Sequence, residues 1–406
     1  MTGNVEAYNL ISPEALANPY PIYDELRRES PVHWSEGLRA WVLSRYDDVM
    51  AALHDPRLSS HRIQQFATHQ LRGLDVSVVA DFLRIVQRMM ALQDMPQHTR
   101  LRKMVSESFT RRALEAFRPV VQQVADALLD RVQPYHRMDL VTDFAQPLPA
   151  MVIAEMFGIA HEDRESFQRW ADDVIRFFGG TFGNVEEDAR RANEGAVNLE
   201  RFFLHLMAQR RCEPGHDLMS LFLAHQEQGL WDEEDLSAQC VMILVGGHVT
   251  TIDQLCNGAH ALLKHPDQLQ KLREQPELIH SAVEEVLRYD TSVPFIHRIA
   301  REDLVIRGQH IAKGQFVFLG LASANHDPEQ FSNPERFDIT RTPNKHVAFG
   351  HGPHLCLGGE LARRELEIGF GTLFRLLPGL QFAAQPAELR CESLLLRGFT
   401  SMPLVF

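Results

Sequence analysis

Apolar residues recur at three- and four-residue intervals through most of the chain between Tyr46 and Arg288, and that spacing predicts helices. Val121, Val124, Leu128, Leu129 and Val132 form one such stripe. The longest predicted helix starts at Asp232, a capping residue followed by Glu233, Glu234 and Asp235 at the positive end of the helix dipole. Its pattern runs without interruption to about Lys264, where His265-Pro266 ends it. At 1.5 Å per residue such a helix is roughly 45 Å long, enough to cross a domain.

Short strand-like runs frame this helical stretch. Val32-His33-Trp34 and Trp41-Val42-Leu43 precede it. After it, Leu304-Val305-Ile306, Gly308 and then Gly314 to Leu319 read as a strand-turn-strand unit. Pro328, Pro334 and Pro343 punctuate a long loop, a helix follows from Gly359 to about Leu377, and Pro403 to Phe406 forms a strand-like tail. No repeat, linker or alternating βαβ series is evident. The expected fold is mainly α with small β-sheets (α+β), in a single domain over residues 1–406.

Composition narrows the function classes. The chain has 406 residues, 45% of them hydrophobic, and a formal net charge of −13. Nothing in that balance favours a nucleic-acid partner. Five scattered cysteines without a CxxC pair suggest a reducing, cytoplasmic compartment with at most one cysteine in chemistry. Residues 1–28 lack the basic and apolar regions of a signal peptide, and the apolar run Cys240–Val245 is far short of the ~20 residues of a membrane span. A protein without a membrane anchor is expected.

One segment carries candidate chemistry directly. Phe349-Gly350-His351-Gly352-Pro353-His354-Leu355-Cys356-Leu357-Gly358 sets a cysteine in a glycine-rich turn just before a helix. A thiolate there is stabilised by the positive helix end and by close backbone N–H groups. Such a sulfur can be an axial ligand to haem iron. His351, His354 and Cys356 at short spacing also leave a zinc site open.

Two helical features accompany the turn. Gly246-Gly247-His248-Val249-Thr250-Thr251 interrupts the long helix with adjacent glycines, each costing roughly 1 kcal/mol relative to alanine. The missing side chains serve either close packing or room for a flat group, and Thr250 can turn its hydroxyl to a helical carbonyl there. Glu285 and Arg288 lie three apart on one face of an apolar helix. Buried, the pair needs further partners, and Arg336 in Asn333-Pro334-Glu335-Arg336-Phe337 is the expected second fork. Arginines and histidines in Asp94 to Arg102 and in Phe295 to Arg298 suit a cofactor bearing carboxylates or phosphates.

Taken together, these elements resemble the cytochrome P-450 family, specifically its soluble bacterial members. The glycine-rich helix centre, Glu285-x-x-Arg288, the Asn333 to Phe337 segment and the cysteine turn occur in the family's order, and the likeness spans Asn18 to the C-terminus. The resemblance implies haem b held between the long central helix and the cysteine loop. It implies Cys356 as the iron's thiolate ligand, with Phe349 packed near the sulfur and Gly358 in the same turn. It implies His98, Arg102, Arg298 and His354 at the haem propionates, and a structural triad of Glu285, Arg288 and Arg336. On the opposite face it implies Thr250 as the distal threonine, flanked by Gly247 and Val249. The residue before that threonine is commonly acidic in the family. With Val249 there, protons must arrive through Thr250, water, His248 or a substrate group.

The implied activity is monooxygenation, one oxygen atom of O2 entering an apolar small molecule by hydroxylation or epoxidation. A polyketide or macrolide, a fatty acid or a terpenoid would each fit. By resemblance, substrate would meet Ser60 to Met90, Phe177 to Asn184, Ile243, Gly247, Val249, Val293 to Ile296 and Leu395 to Phe399, with Phe177, Phe178 and Phe182 as a lid. No flavin or nucleotide fingerprint occurs, so electrons are expected from a ferredoxin and an NAD(P)H-dependent ferredoxin reductase. Arg100, Lys103, Arg111, Arg112, Arg363 and Arg364 are the candidate docking residues, on an expected monomer. Peroxide use and a non-catalytic haem sensor are the alternatives that Val249 keeps open.

Overall fold

The structure, a computed structural model, describes residues 8–71, 75–178, 184–226, 232–384, 387–389 and 393–406. Helices dominate it, and most of the largest buried side chains belong to one cluster that links helices from Ile63 to Leu377. The helix Arg118–Val132 shows why: the stripe Val121, Val124, Leu128, Leu129 and Val132 is buried throughout.

The expected long helix is two helices. Asp232 caps the first, accepting from Asp235 N, and it runs Glu233–Gly247; the second runs Val249–Lys264. They meet at His248, whose φ of −91° and ψ of −83° leave the helical region. The adjacent glycines explain the location of the break, because they are the weakest helix formers in the run. By length and apolarity the segment Glu233–Lys264 could cross a membrane, but 67% of its most apolar window is buried among the other helices. It is the core helix of the fold.

Val32–Ser35 and Ala40–Leu43 pair antiparallel, as their pattern suggests. The third strand was placed differently by the sequence. Phe316–Gly320 leaves the expected strand-turn-strand unit and runs parallel to Ala40–Leu43, antiparallel to Phe295–Ala300. With Leu58–Ser59 these make a five-stranded sheet. Leu304–Ile306 instead pairs with Gln309–Ile311 across a turn whose two residues, Arg307 and Gly308, both have positive φ. That geometry matches the right-handed strand twist of a two-residue hairpin. The tail strand Pro403–Val405 joins Arg137–Asp139 and Gln381–Phe382.

A buried charge network centres on Glu285. Glu285 and Arg288 are both fully buried and bond through two hydrogen bonds of 2.8 Å. The second guanidinium is Arg341, not Arg336: Arg341 Nε donates to both Glu285 oxygens at 3.1 and 3.2 Å. The Arg336 side chain is 65% exposed, and what the residue contributes is its carbonyl, which accepts from Arg288 and Arg341. Asn344 Nδ2 and Asp338 N complete the shell of the carboxylate. A charge pair this dry persists because nearly every lone pair and N–H is used.

Candidate haem-thiolate site

The cysteine turn is shaped by its glycines. Gly350 and Gly352 have φ of +68° and +72°, a region where an L side chain is strained. A Cβ on Gly352 would also press on His54 at 3.0 Å. The turn closes through Cys356 N donating to Phe349 O at 3.0 Å, and Gly358 caps the helix Gly359–Leu376. Cys356 is free and solvent-accessible. Its crowded surroundings push the thiol pKa up, while N–H groups of Gly358 and Gly359 and the guanidinium groups of Arg102 and Arg363 oppose the rise. Those four groups are what a bound thiolate would lean on.

Phe349 is held from its other side. Arg363 stacks 4.7 Å from the ring centroid and bonds Glu284 at 2.6 Å. His346 reaches the same carboxylate at 3.1 Å. Burial alone would raise the Glu284 pKa, but hydrogen bonds from His346 and Arg363 overcome it and hold the group down at about 2.

Cationic and donor side chains converge beside the turn. His98 and His354 rings lie 4.0 Å apart. Ser60 Oγ is 3.2 Å from His354 Nε2, and Arg102 Nη1 donates to Pro353 O at 3.1 Å. Arg298 is buried and donates only to the neighbouring His297 carbonyl. Arg62, absent from the predicted set, belongs here too: it feels the charge of Arg298 and depresses His354. Its signal in the sequence was weak, a lone arginine in a polar stretch. Burial, with neighbouring cations, lowers Arg62 to about 9, Arg298 to about 10 by burial alone, and His354 to about 3. The acid felt by all three is Asp94. Nδ1 of His98 and Nε of Arg62 are buried without a hydrogen-bond partner. This donor set fits a ligand with carboxylates.

Room for a flat group is marked by two glycines. A Cβ on Gly246 or on Gly358 would meet nothing within 4 Å. Gly247, by contrast, abuts Ile153 at 3.0 Å, so its missing side chain serves packing and Gly246 is the open position. Thr250 Oγ1 donates to Gly246 O at 2.7 Å, the carbonyl contact its place in the helix suggested. Val249 beside it is half-buried and packed on the main core.

Several expected features do not form. His351 turns to His54, Nδ1 to Nε2 at 2.8 Å, and no group of three His, Cys, Asp or Glu suited to a metal occurs among the described residues, so the zinc arrangement is not built. Phe177 is core, edge-on to Phe82 at 5.2 Å, and Phe178 packs on the same ring, so neither is a free lid. Phe182, Gly179 and Gly180 lie outside the described residues, as does Cys391. Of the docking residues, Arg100 is bound to Asp235, Arg363 to Glu284, and Arg364 is buried against Glu367. Lys103, Arg111 and Arg112 are exposed.

An accessible cysteine in a glycine turn, a cationic cradle and an open glycine face on a broken central helix together define a haem-thiolate class of protein. The sequence profile of the family described as "Cytochrome P450" matches residues 39–378. The chain belongs to the cytochrome P450 family. It is 37% identical over 379 residues to the biotin biosynthesis cytochrome P450 of Bacillus subtilis (strain 168), covering 93% of each chain. It is 36% identical to the polyketide biosynthesis cytochrome P450 PksS of the same organism, covering 95% of each. Among solved structures it is similar to P450BioI in complex with hexadec-9Z-enoic acid ligated acyl carrier protein, with a TM-score of 0.89, 36% identity and coverage of 97% of this chain and 100% of that one. The chain is a haem-dependent monooxygenase.

Proposed function

We propose that this monooxygenase, a single haem domain over residues 1–406, holds haem b through Cys356 and oxidises an apolar acyl or polyketide-derived substrate. The carrying observation is the cationic cradle of Arg62, His98, Arg102, Arg298 and His354 beside an accessible Cys356, together with the open space at Gly246 on the central helix. The names of the similar proteins, in biotin and polyketide biosynthesis and with a fatty-acyl carrier protein, support the substrate class. Bound haem supplies dioxygen activation, favoured by thiolate donation.

The chain's own residues supply the rest. Cys356 is the iron ligand, Phe349 covers the sulfur, and Gly358 lets the ring approach. His98, Arg102, Arg298 and His354, joined by Arg62, neutralise the carboxylates. Thr250 is the last hydroxyl on the proton route: its hydrogen rests on Gly246 O, so its lone pairs face an incoming donor. Gly247 and Val249 shape the helix around it. Val249 carries no proton, which favours, as a second reading, some peroxide-driven turnover. Electrons come from a ferredoxin and NAD(P)H-dependent reductase docking on Lys103, Arg111 and Arg112. The enzyme works as a cytoplasmic monomer.

The test begins with a spectrum. The reduced protein under carbon monoxide shows the strongly red-shifted Soret band of thiolate-ligated haem, and Cys356→Ala loses it. Turnover of free and carrier-bound acyl chains, with ferredoxin, reductase and NAD(P)H, then tests the substrate. An unshifted band would refute the ligand; product from neither form would refute the acyl class.

A further inference from the structure

We propose that Asp172 and His248 form the proton inlet of this enzyme, standing in for the acid that Val249 removes from the central helix. The inference rests on the monooxygenase activity and on no substrate assignment.

His248 occupies the break between Glu233–Gly247 and Val249–Lys264, and its side chain is 1% exposed. Neither ring nitrogen has an aligned hydrogen-bond partner. A buried polar group left so costs about 1–3 kcal/mol, and a hydrophobic residue would pack there without that cost. Nε2 nevertheless lies 3.3 Å from Asp172 Oδ1, in contact but out of line. Asp172, on the helix Arg164–Phe178, is 42% exposed and so meets bulk water.

The surroundings leave these two groups to each other. A cavity beside His248 has about 30 Å³ of space for water centres and is lined by Ala154, Phe167, Gln168, Leu244 and Arg164. A single water needs about 10–15 Å³. Arg164 is engaged, donating to Glu155 at 2.8 Å and to the Ile159 carbonyl. From the helix Pro147–Phe157 the cavity receives only Ala150, Met151 and Ala154, all apolar. The adjacent carboxylate Asp173 is paired with Arg191.

The transfer balances. One proton enters from solvent on Asp172 and passes to Nε2 of the neutral His248 ring; rotation of the imidazolium carries that N–H to water at the helix break, which takes the same proton toward Thr250 Oγ1, and the neutral ring rotates back to Asp172. Thr250 delivers its own hydroxyl proton to the haem side and is refilled. Thr250 stands two residues beyond His248, on the opposite side of the helix, so the proton must cross the chain. The interruption at His248 opens that crossing.

The test uses holoenzyme variants His248→Phe, Asp172→Asn, and His248→Phe combined with Val249→Glu. With a surrogate ferredoxin and reductase, product formed per NAD(P)H falls about tenfold or more in each single variant. The solvent isotope effect on turnover rises, and Val249→Glu restores coupling to the His248→Phe protein. Peroxide-driven turnover, which brings its own protons, is preserved. Independently of activity, NMR of 15N-histidine-labelled protein shows the His248 ring-nitrogen signals moving in Asp172→Asn, because the carboxylate oxygen lies 3.3 Å from Nε2. Unchanged coupling in Asp172→Asn and His248→Phe overturns the proposal. So does a loss shared by peroxide turnover and not rescued by Val249→Glu, with unmoved His248 ring-nitrogen signals, since that pattern marks a packing role.

Discussion

Replacing Arg341 with leucine tests the buried network around Glu285, because sequence and structure assign the second fork to different residues. Arg341 is 9% exposed and its Nε serves both oxygens of a Glu285 carboxylate with no exposure at all. Its other nitrogens bind the carbonyls of Ser332, Asn333 and Arg336. Removing it leaves a buried carboxylate with one guanidinium in place of two and takes one donor from each of three loop carbonyls. Breaking a buried ion pair costs about 3–5 kcal/mol. For 406 residues the unfolding entropy is roughly 0.85 kcal/mol/K, so about 4 kcal/mol lowers Tm by about 5 °C. Arg336→Leu removes a side chain 65% exposed whose acid lies 4.0 Å away, an effect within about 0.5 kcal/mol. Circular dichroism melts and urea midpoints of both variants decide the matter. Equal losses, or a larger loss in Arg336→Leu, would refute the assignment of Arg341.

Three further outcomes follow from the site. The Glu284 pKa is lowered in the folded state from 4.5 to about 2, so its contribution is complete above pH 4.5 and is lost as pH falls through 2. The unfolding free energy of wild type from urea melts therefore falls by about 3 kcal/mol more between pH 5 and 2 than that of Glu284→Gln, and parallel curves would contradict this. Arg62→Gln speeds haem transfer to apomyoglobin about tenfold, by loss of one charge-assisted hydrogen bond, and an unchanged rate removes Arg62 from the cradle. Charge reversal at Arg112 slows reduction by ferredoxin at low salt and spares Tm, whereas reversal at the buried Arg364 lowers Tm; stopped-flow rates and melts separate the two, and equal reduction rates in wild type and Arg112→Glu would exclude that face.

What could be read from the sequence was local. Asp232 caps its helix, Glu285 and Arg288 meet at helical spacing, and the glycines around Cys356 adopt the turn their spacing suggested. What could not be read depended on where loops go. Arg336 and Arg341 stand five apart in a segment without periodicity, so nothing in their spacing says which guanidinium turns inward. Phe316–Gly320 finds a parallel partner at Ala40–Leu43 far away in the chain, a pairing no hairpin signal can announce. Gly246 and Gly247 are indistinguishable as letters, yet one opens on space and the other on Ile153. Arg363 and Arg364 looked like surface charge because arginine usually is; their partners Glu284 and Glu367 lie on packed faces.

The cationic cradle explains why local rules are broken at this site in particular. Folding gathers Arg62, His98, Arg298 and His354 around the acid Asp94, whose oxygens already accept from Ser59 Oγ and Ser60 N, and sets Arg102 beside Cys356. Burial first, and neighbouring like charges second, raise the free energy of the protonated groups here, which is why the site's basic groups hold their protons less tightly than in water. A ligand with two carboxylates reverses the sign of that term and is bound only by the folded form, so its binding adds to stability by mass action. The same logic covers the helix break at His248 and the positive-φ glycines of the cysteine turn, each unfavourable by itself. The network of Glu285, Arg288 and Arg341 is tied to the segment leading into that turn, because Arg288 donates to Asn325 O and Asn325 Oδ1 accepts from Val347 N. Stability is thus concentrated where no chemistry occurs, and the locally unfavourable choices are concentrated where the haem and its protons must pass.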